Sequence, residues 1–270
     1  MSSVDRDVRG FVPQILVVPA VIGIALLVVP LGALIGRVDW STLWADITDP
    51  AALSALSLSL RTALVATIVC LVLGVPLALT IARAGARTAA VLRAVVTVPL
   101  VLPPMVGGVA LLFLFGRTGW LGPVLAGWGI QIPFSTTAVV LAQVFVAMPF
   151  LVLALEGALR STGVGYEEAA AALGAGRWTI LWRVTLPLAA PGLVAGTVLC
   201  FARAVGEFGA TALFAGNAPG TTRTMPLAIY TAFNGAGVSQ GTAVALALLL
   251  LVTAVAVLVL VRAWRPGAIR

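Results

Sequence analysis

Apolar residues run along this chain in six long stretches separated by short polar breaks. They cover Val12–Ile35, Ser59–Ile81, Val91–Phe115, Thr136–Leu155, Leu188–Phe214 and Thr242–Val261. An α-helix of about 20 residues crosses a hydrocarbon core of roughly 30 Å. The pattern therefore predicts about six transmembrane helices and an all-α integral membrane protein. The opening run from Phe11 to Ile35 is too long for the core of a signal peptide and reads as a first span. Prolines interrupt several runs, and such breaks are tolerated where neighbouring helices or water satisfy the freed backbone. The adjacent Pro103 and Pro104 predict a kink or break in the third span.

Composition sharpens this picture. Of 270 residues, 61% are apolar and 9% are charged, against about 25% charged in soluble chains. An ordinary globular enzyme, a disordered protein and a secreted disulfide scaffold are excluded. The net charge is +7, and all basic residues are Arg, with neither Lys nor His. The arginines sit at the ends of the apolar runs, which argues for membrane orientation and against nucleic-acid binding. With both termini inside, the inner side holds Arg6, Arg9, Arg83, Arg87, Arg93, Arg160, Arg177, Arg183, Arg262, Arg265 and Arg270. The outer side holds Arg37, Arg117 and Arg223, with Arg61 at the outer mouth of the second span. Trp40, Trp44, Trp120 and Trp128 fall in outer loops, and Trp178, Trp182 and Trp264 on the inner side, as interfacial anchors do.

What is missing limits the chemistry. Without Lys there is no Walker A loop, so this chain has no phosphate-binding motif of its own for ATP. Without His the commonest metal ligand and general base are gone. Cys70 and Cys200 lie inside apolar runs and read as small buried hydrophobes. Neither a catalytic constellation nor a metal-ligand spacing is present.

Two segments are left unexplained by hydropathy. The outer segment from Asn217 to Gln240 is rich in Gly, Pro and Thr. The inner segment from Glu156 to Thr185 is long for a simple connection. It carries Tyr166 to Leu173, a good helix by propensity, with Glu167 and Glu168 near its start and Gly174 at its end. On composition alone it could be a helix lying on the membrane surface. Within the fifth span, Arg203 and Glu207 are four residues apart and share one helix face. They are either a self-satisfied structural pair or charges facing a water-filled path, and the two roles are compatible. Gly206 and Gly209 flank Glu207 and are expected to break the helix there. Gly192 and Gly196 in the fifth span, and Gly32 and Gly36 in the first, have the spacing for close helix packing.

Glu168-Ala169-Ala170, then Gly174, then Val184, Leu186 and Pro187 resemble the EAA loop of ABC importer permeases, with Val184 where the family has Ile. The run from Ala202 to Thr211, then Phe214 to Asn217 and Thr224 to Tyr230, resembles the permease subunit of molybdate and tungstate ABC importers. Sulfate permeases share the Arg-x-x-Gly-Glu core and usually differ after it. The resemblance implies a type I ABC importer permease fold with a cytoplasmic coupling helix. Residues 1–11 would be a cytoplasmic N-terminus and 12–53 the first helix and outer loop. Residues 54–262 would be the permease domain, with its coupling loop at 156–187, and 263–270 a cytoplasmic tail.

The resemblance also implies roles and partners. Glu167, Glu168, Ala169, Ala170, Gly174, Leu186 and Pro187 would couple the chain to an ATPase, with Pro187 stopping the next helix from continuing backward. Arg203, Glu207 and Thr211 would line the translocation path. The expected partners are a second copy of the chain, a cytoplasmic ABC ATPase dimer, an extracytoplasmic oxyanion-binding protein and the bilayer of a bacterial cell membrane. The chain itself would bind no cofactor, while ATP and Mg2+ would sit on the ATPase. A sulfate permease is the alternative within the family. A secondary transporter using Arg203 and Glu207 as an ion site is the alternative outside it, and a membrane enzyme is a poor fit.

Overall fold

The computed structural model describes residues 14–235 and 239–263. The N-terminal segment 1–11 with Arg6 and Arg9, and Trp264, Arg265 and Arg270 at the other end, lie outside the described residues. The described residues are almost wholly helical. After a 3-10 turn at Gln14–Leu16, α1 (Val17–Gly36) supplies the first span. It buries none of its residues within the chain. A short α2 (Leu43–Thr48) was not foreseen.

The second span is α3 (Pro50–Arg83), a helix of 34 residues. It begins well before the apolar run because the Asp49 carboxylate accepts from the Ala51 and Ala52 N–H groups, at 2.9 and 3.2 Å. Pro50 fills the first helical position, where no N–H is needed. At 1.5 Å per residue α3 measures about 51 Å and outruns the hydrocarbon core.

The third apolar run is two helices, α4 (Ala86–Val101) and α5 (Pro104–Phe115), whose axes turn by 111°. Leu102 and Pro103 are both extended, with ψ of 136° and 132°. Each precedes a proline, which drives it out of helical space, and the two prolines remove two N–H donors. A short α6 (Gly122–Gly127) leads to α7 (Thr136–Thr162), which opens under a Ser135 cap.

α7 corrects the expected coupling loop. The helix runs on through Glu156 and Arg160, so the non-spanning segment starts only at Gly163. It contains α8 (Gly165–Ala172) and ends at Gly176. There α9 (Arg177–Ile180) begins and passes through a π turn at Leu181–Thr185 into α10 (Leu186–Val205). Pro187 therefore does not stop the helix. The Leu186 N–H bonds back to the Leu181 carbonyl, five residues away. This wider turn gives the proline ring room that α-helical pitch denies it.

The fifth run breaks after Val205 and resumes as α11 (Gly209–Phe214). The expected outer segment contains α12 (Met225–Phe233), and α13 (Gln240–Ala263) is the last span. α7 is the central helix, packed on α3 and α10 along one side and on α5 and α11 along the other. Gly192 and Gly196 explain the closeness of α10. A Cβ added to them would lie 2.2 Å from the Ala158 Cβ and 3.0 Å from the Ala154 Cβ. Gly32 and Gly36 have no neighbour within 4 Å, so that pair packs nothing within this chain. Cys70 and Cys200 are free and fully buried in the α3–α7–α10 core.

Candidate functional site

Among the described residues, ion-paired carboxylates stand in two regions, one at the arginine-rich end of the bundle and one at the helix breaks. At the arginine-rich end, Glu156 is an inward-facing carboxylate on the last turns of α7. Its Oε1 lies 2.5 Å from Arg93 Nη2 and 2.7 Å from Arg160 Nε, and Oε2 accepts from Arg93 Nε at 3.2 Å. Arg160 also reaches the Ile81 carbonyl at 3.5 Å. One carboxylate thus ties α4, α7 and the end of α3, and the charge is compensated where burial would otherwise penalise it. The sequence reading placed Glu156 in a loop and gave it no role.

The eight residues of α8 lie beside this clamp. Glu167 pairs with Arg83 at the end of α3, and its Oε1 also accepts from the Thr185 hydroxyl at 2.8 Å. So one face of α8 is fastened to α3 and to the π turn that starts α10. Glu168, Ala169, Ala172 and Leu173 are exposed, and Ala170 is half-buried. Small residues and one free leucine make an outward face that a partner backbone can approach closely. Gly174 has φ of +84°, and its N–H bonds to the Ala171 carbonyl while the Ala175 N–H bonds to that of Ala170. These two bonds close the end of α8, and the left-handed glycine between them is what allows it. A cavity of about 560 Å³ opens between α8, α9 and the end of α3, with Arg83, Glu168, Arg177 and Thr185 in its wall. Leu186 and Pro187 lie in the first turn of α10 and have no contact of this kind with α8.

The second region forms where two broken runs meet. A Cβ on Gly209 would lie 2.9 Å from Pro104 Cβ, and one on Gly108 would lie 2.8 Å from the Ala210 carbonyl oxygen. The glycines let α11 lie directly on α5. Beside this contact is a cavity of about 300 Å³ lined by Pro104, Met105, Arg203, Gly206, Glu207 and Phe208, with Gly209. Arg203 Nη2 stands 2.6 Å from Glu207 Oε2. Glu207 is fully buried, whereas the Arg203 side chain keeps a quarter of its surface open. Glu207 Oε1 accepts the Ala210 N–H at 2.8 Å, but Oε2 has no aligned hydrogen bond.

Arg203 and Glu207 are thus brought together as expected, at a helix break as expected. Thr211 is buried on α11 with its hydroxyl unpartnered and is not in the wall of this cavity. Pro104 and Met105 were missed as partners of the site, although the proline pair marked the break. Gln143, fully buried on α7 with both amide atoms unpartnered, was also missed. A polar residue in the middle of an apolar run was the signal available.

Comparison with known proteins bears on the chain as a whole. The sequence profile of a family described as "Binding-protein-dependent transport system inner membrane component" matches residues 71–269. The molybdenum transport system permease protein ModB of Mycobacterium tuberculosis is 52% identical over 218 residues, covering 81% of this chain and 83% of that protein. ModB of Escherichia coli K12 is 42% identical over 198 residues, covering 73% of this chain and 86% of that one. A probable sulfate transport system permease protein, cysT of Zygnema circumcarinatum, is 36% identical over 219 residues, covering 79% and 76%. Among solved structures, a bacterial alginate ABC transporter in complex with its alginate-bound periplasmic protein matches with a TM-score of 0.66. It is 18% identical, and the match covers 92% of this chain and 90% of that one, so it bears on the fold alone.

Proposed function

The chain belongs to the family of binding-protein-dependent transport system inner membrane components, and from that membership we propose that it forms the membrane path of an ATP-driven importer for a tetrahedral oxyanion, molybdate first. The observation that carries the substrate is the 52% and 42% identity to two molybdenum permeases, against 36% to a sulfate permease. Tungstate has the same charge and shape as molybdate and is a substrate on the same grounds.

The chain is a transport subunit and has no Lys for a Walker A loop. The motor is a separate ABC ATPase, and the exposed face of α8 is where it docks. Arg83, Arg93, Arg160 and Arg177 gather at the α8 end, which by charge is the cytoplasmic side of a bacterial inner membrane. Both termini then face the cytoplasm. A second copy of the chain completes the path, and a soluble binding protein delivers the anion from outside. ATP-driven closure of the motor moves α8, and the bonds of Glu167 to Arg83 and Thr185 pass that movement to α3 and α10.

Proteoliposomes test this. The chain should co-purify with an ATPase subunit, and uptake should require ATP inside the liposome and ignore proton and sodium gradients. Uptake driven by an ion gradient without ATP would replace this reading with a secondary transporter.

A further inference from the structure

We propose that Glu207 is an intramolecular stand-in for the transported oxyanion, holding Arg203 while the path is empty and yielding it to a tetrahedral dianion that enters the cavity at the two helix breaks. The inference rests on the oxyanion reading and adds how the path binds and releases its cargo.

The geometry separates the two oxygens of Glu207. Oε1 is anchored on the Ala210 N–H at 2.8 Å. That bond holds the carboxylate in place whether or not Arg203 is present. Oε2 stands 2.6 Å from the guanidinium but without hydrogen-bond alignment, and no other group partners it. An ion pair built for stability would use both oxygens in a fork, as Glu156 does with Arg93. Arg203 has five N–H donors, and none makes an aligned hydrogen bond to Glu207, whose nearest approach is Oε2 to Nη2. Arg203 lines the cavity beside Met105 and Gly206.

A tetrahedral oxyanion offers two oxygens at the spacing a guanidinium grips. Broken helices at membrane depth are where transporters place such sites. A lone arginine there would hold a dianion too firmly to let it leave. A buried carboxylate alongside supplies the counterweight: it repels the bound anion and reclaims the arginine when the anion departs. Conduction needs binding that is favourable on entry and weak enough for exit.

The experiment uses the chain with its ATPase, in lipid nanodiscs for retention and, with the binding protein, in proteoliposomes for ATP-driven uptake, probed with radiolabelled molybdate and, separately, sulfate. Glu207→Gln removes the competing charge, so retained molybdate at equal free concentration should rise by about tenfold or more, while ATP-driven uptake falls. Arg203→Gln should retain none. The double variant Arg203→Gln with Glu207→Gln removes the charge imbalance and should melt near the wild type, yet neither retain nor transport molybdate. A folded Glu207→Gln variant that retains no more than wild type overturns the proposal. So does a double variant that transports normally, because the pair would then be structural only. Wild-type complex that imports neither anion would instead overturn the oxyanion reading, a separate readout from the retention ratio.

Discussion

Gly174 ends α8 with φ of +84°, and a Cβ added there would meet no atom within 4 Å. The constraint is conformational, not steric. A side chain in left-handed space costs about 1–2 kcal/mol, and Asn tolerates it better than most. Gly174→Val should therefore reduce ATP-coupled uptake much more than Gly174→Asn, with both proteins inserted, as uptake assays on membranes with equal protein would show. Glu156 acts differently. It is buried and neutralises two partly exposed arginines. Glu156→Gln leaves both without their carboxylate, and because the two arginines are partly exposed and screened by water the loss is smaller than for a fully buried pair. A lowered melting temperature in detergent is the readout, and unchanged melting would show that the clamp carries no stability. The sequence hid this residue because its position past the apolar run looked like loop. The last two turns of α7, which carry Glu156, Arg160, Ser161 and Thr162, are less apolar than the span before them, and hydropathy measures lipid contact rather than helix length.

At the scale of elements, the breaks matter more than the spans. The six apolar runs were legible because bilayer thickness fixes their length, and each became a helix or a broken helix. The adjacent prolines announced the break between α4 and α5, but not the turn of 111°. After the turn α5 packs on α11, a contact between residues far apart in sequence. The π turn at Leu181–Thr185 was likewise invisible: Pro187 predicts a helix start unless a wider turn makes room for its ring. α12 was masked by the Gly and Thr around it. The paired glycines illustrate the same limit. Gly192-x-x-x-Gly196 and Gly32-x-x-x-Gly36 look alike as sequence, yet only the first meets a neighbour. Gly192→Ala should cost about 1–3 kcal/mol by overpacking against Ala158, whereas Gly32→Ala should leave melting unchanged or raise it slightly through helix propensity. Paired thermal melts decide it, and equal losses at both positions would contradict the packing described here.

At the scale of the whole molecule, one helical bundle connects α8 to the break at Gly206. α8 is fastened to α3 and to the start of α10 through Glu167, Arg83 and Thr185. α10 then leads to Arg203 and the break at Gly206. Arg83 and Glu167 are both partly exposed, so their pair contributes little to stability, about 0–1 kcal/mol. Its loss should show in coupling instead. Glu167→Gln should insert and melt as wild type, with ATP hydrolysis continuing but uptake reduced several-fold. Coupled uptake at the wild-type rate would mean that α8 moves the bundle by another route. The helix α8 could be read from the sequence, since Tyr166 to Leu173 has good helix propensity and Gly174 follows it. What fastens it could not, because Arg83 reaches Glu167 across most of a domain's length of chain.

If this chain forms the path for molybdate, the cell's uptake of that anion depends on it. The most direct test is uptake of radiolabelled molybdate by cells lacking the chain and by the same cells with it restored, each with and without excess sulfate. Uptake should appear only with the chain and persist under excess sulfate. Uptake abolished by sulfate would move the chain to sulfate transport, and uptake indifferent to the chain would contradict the assignment of an oxyanion path altogether.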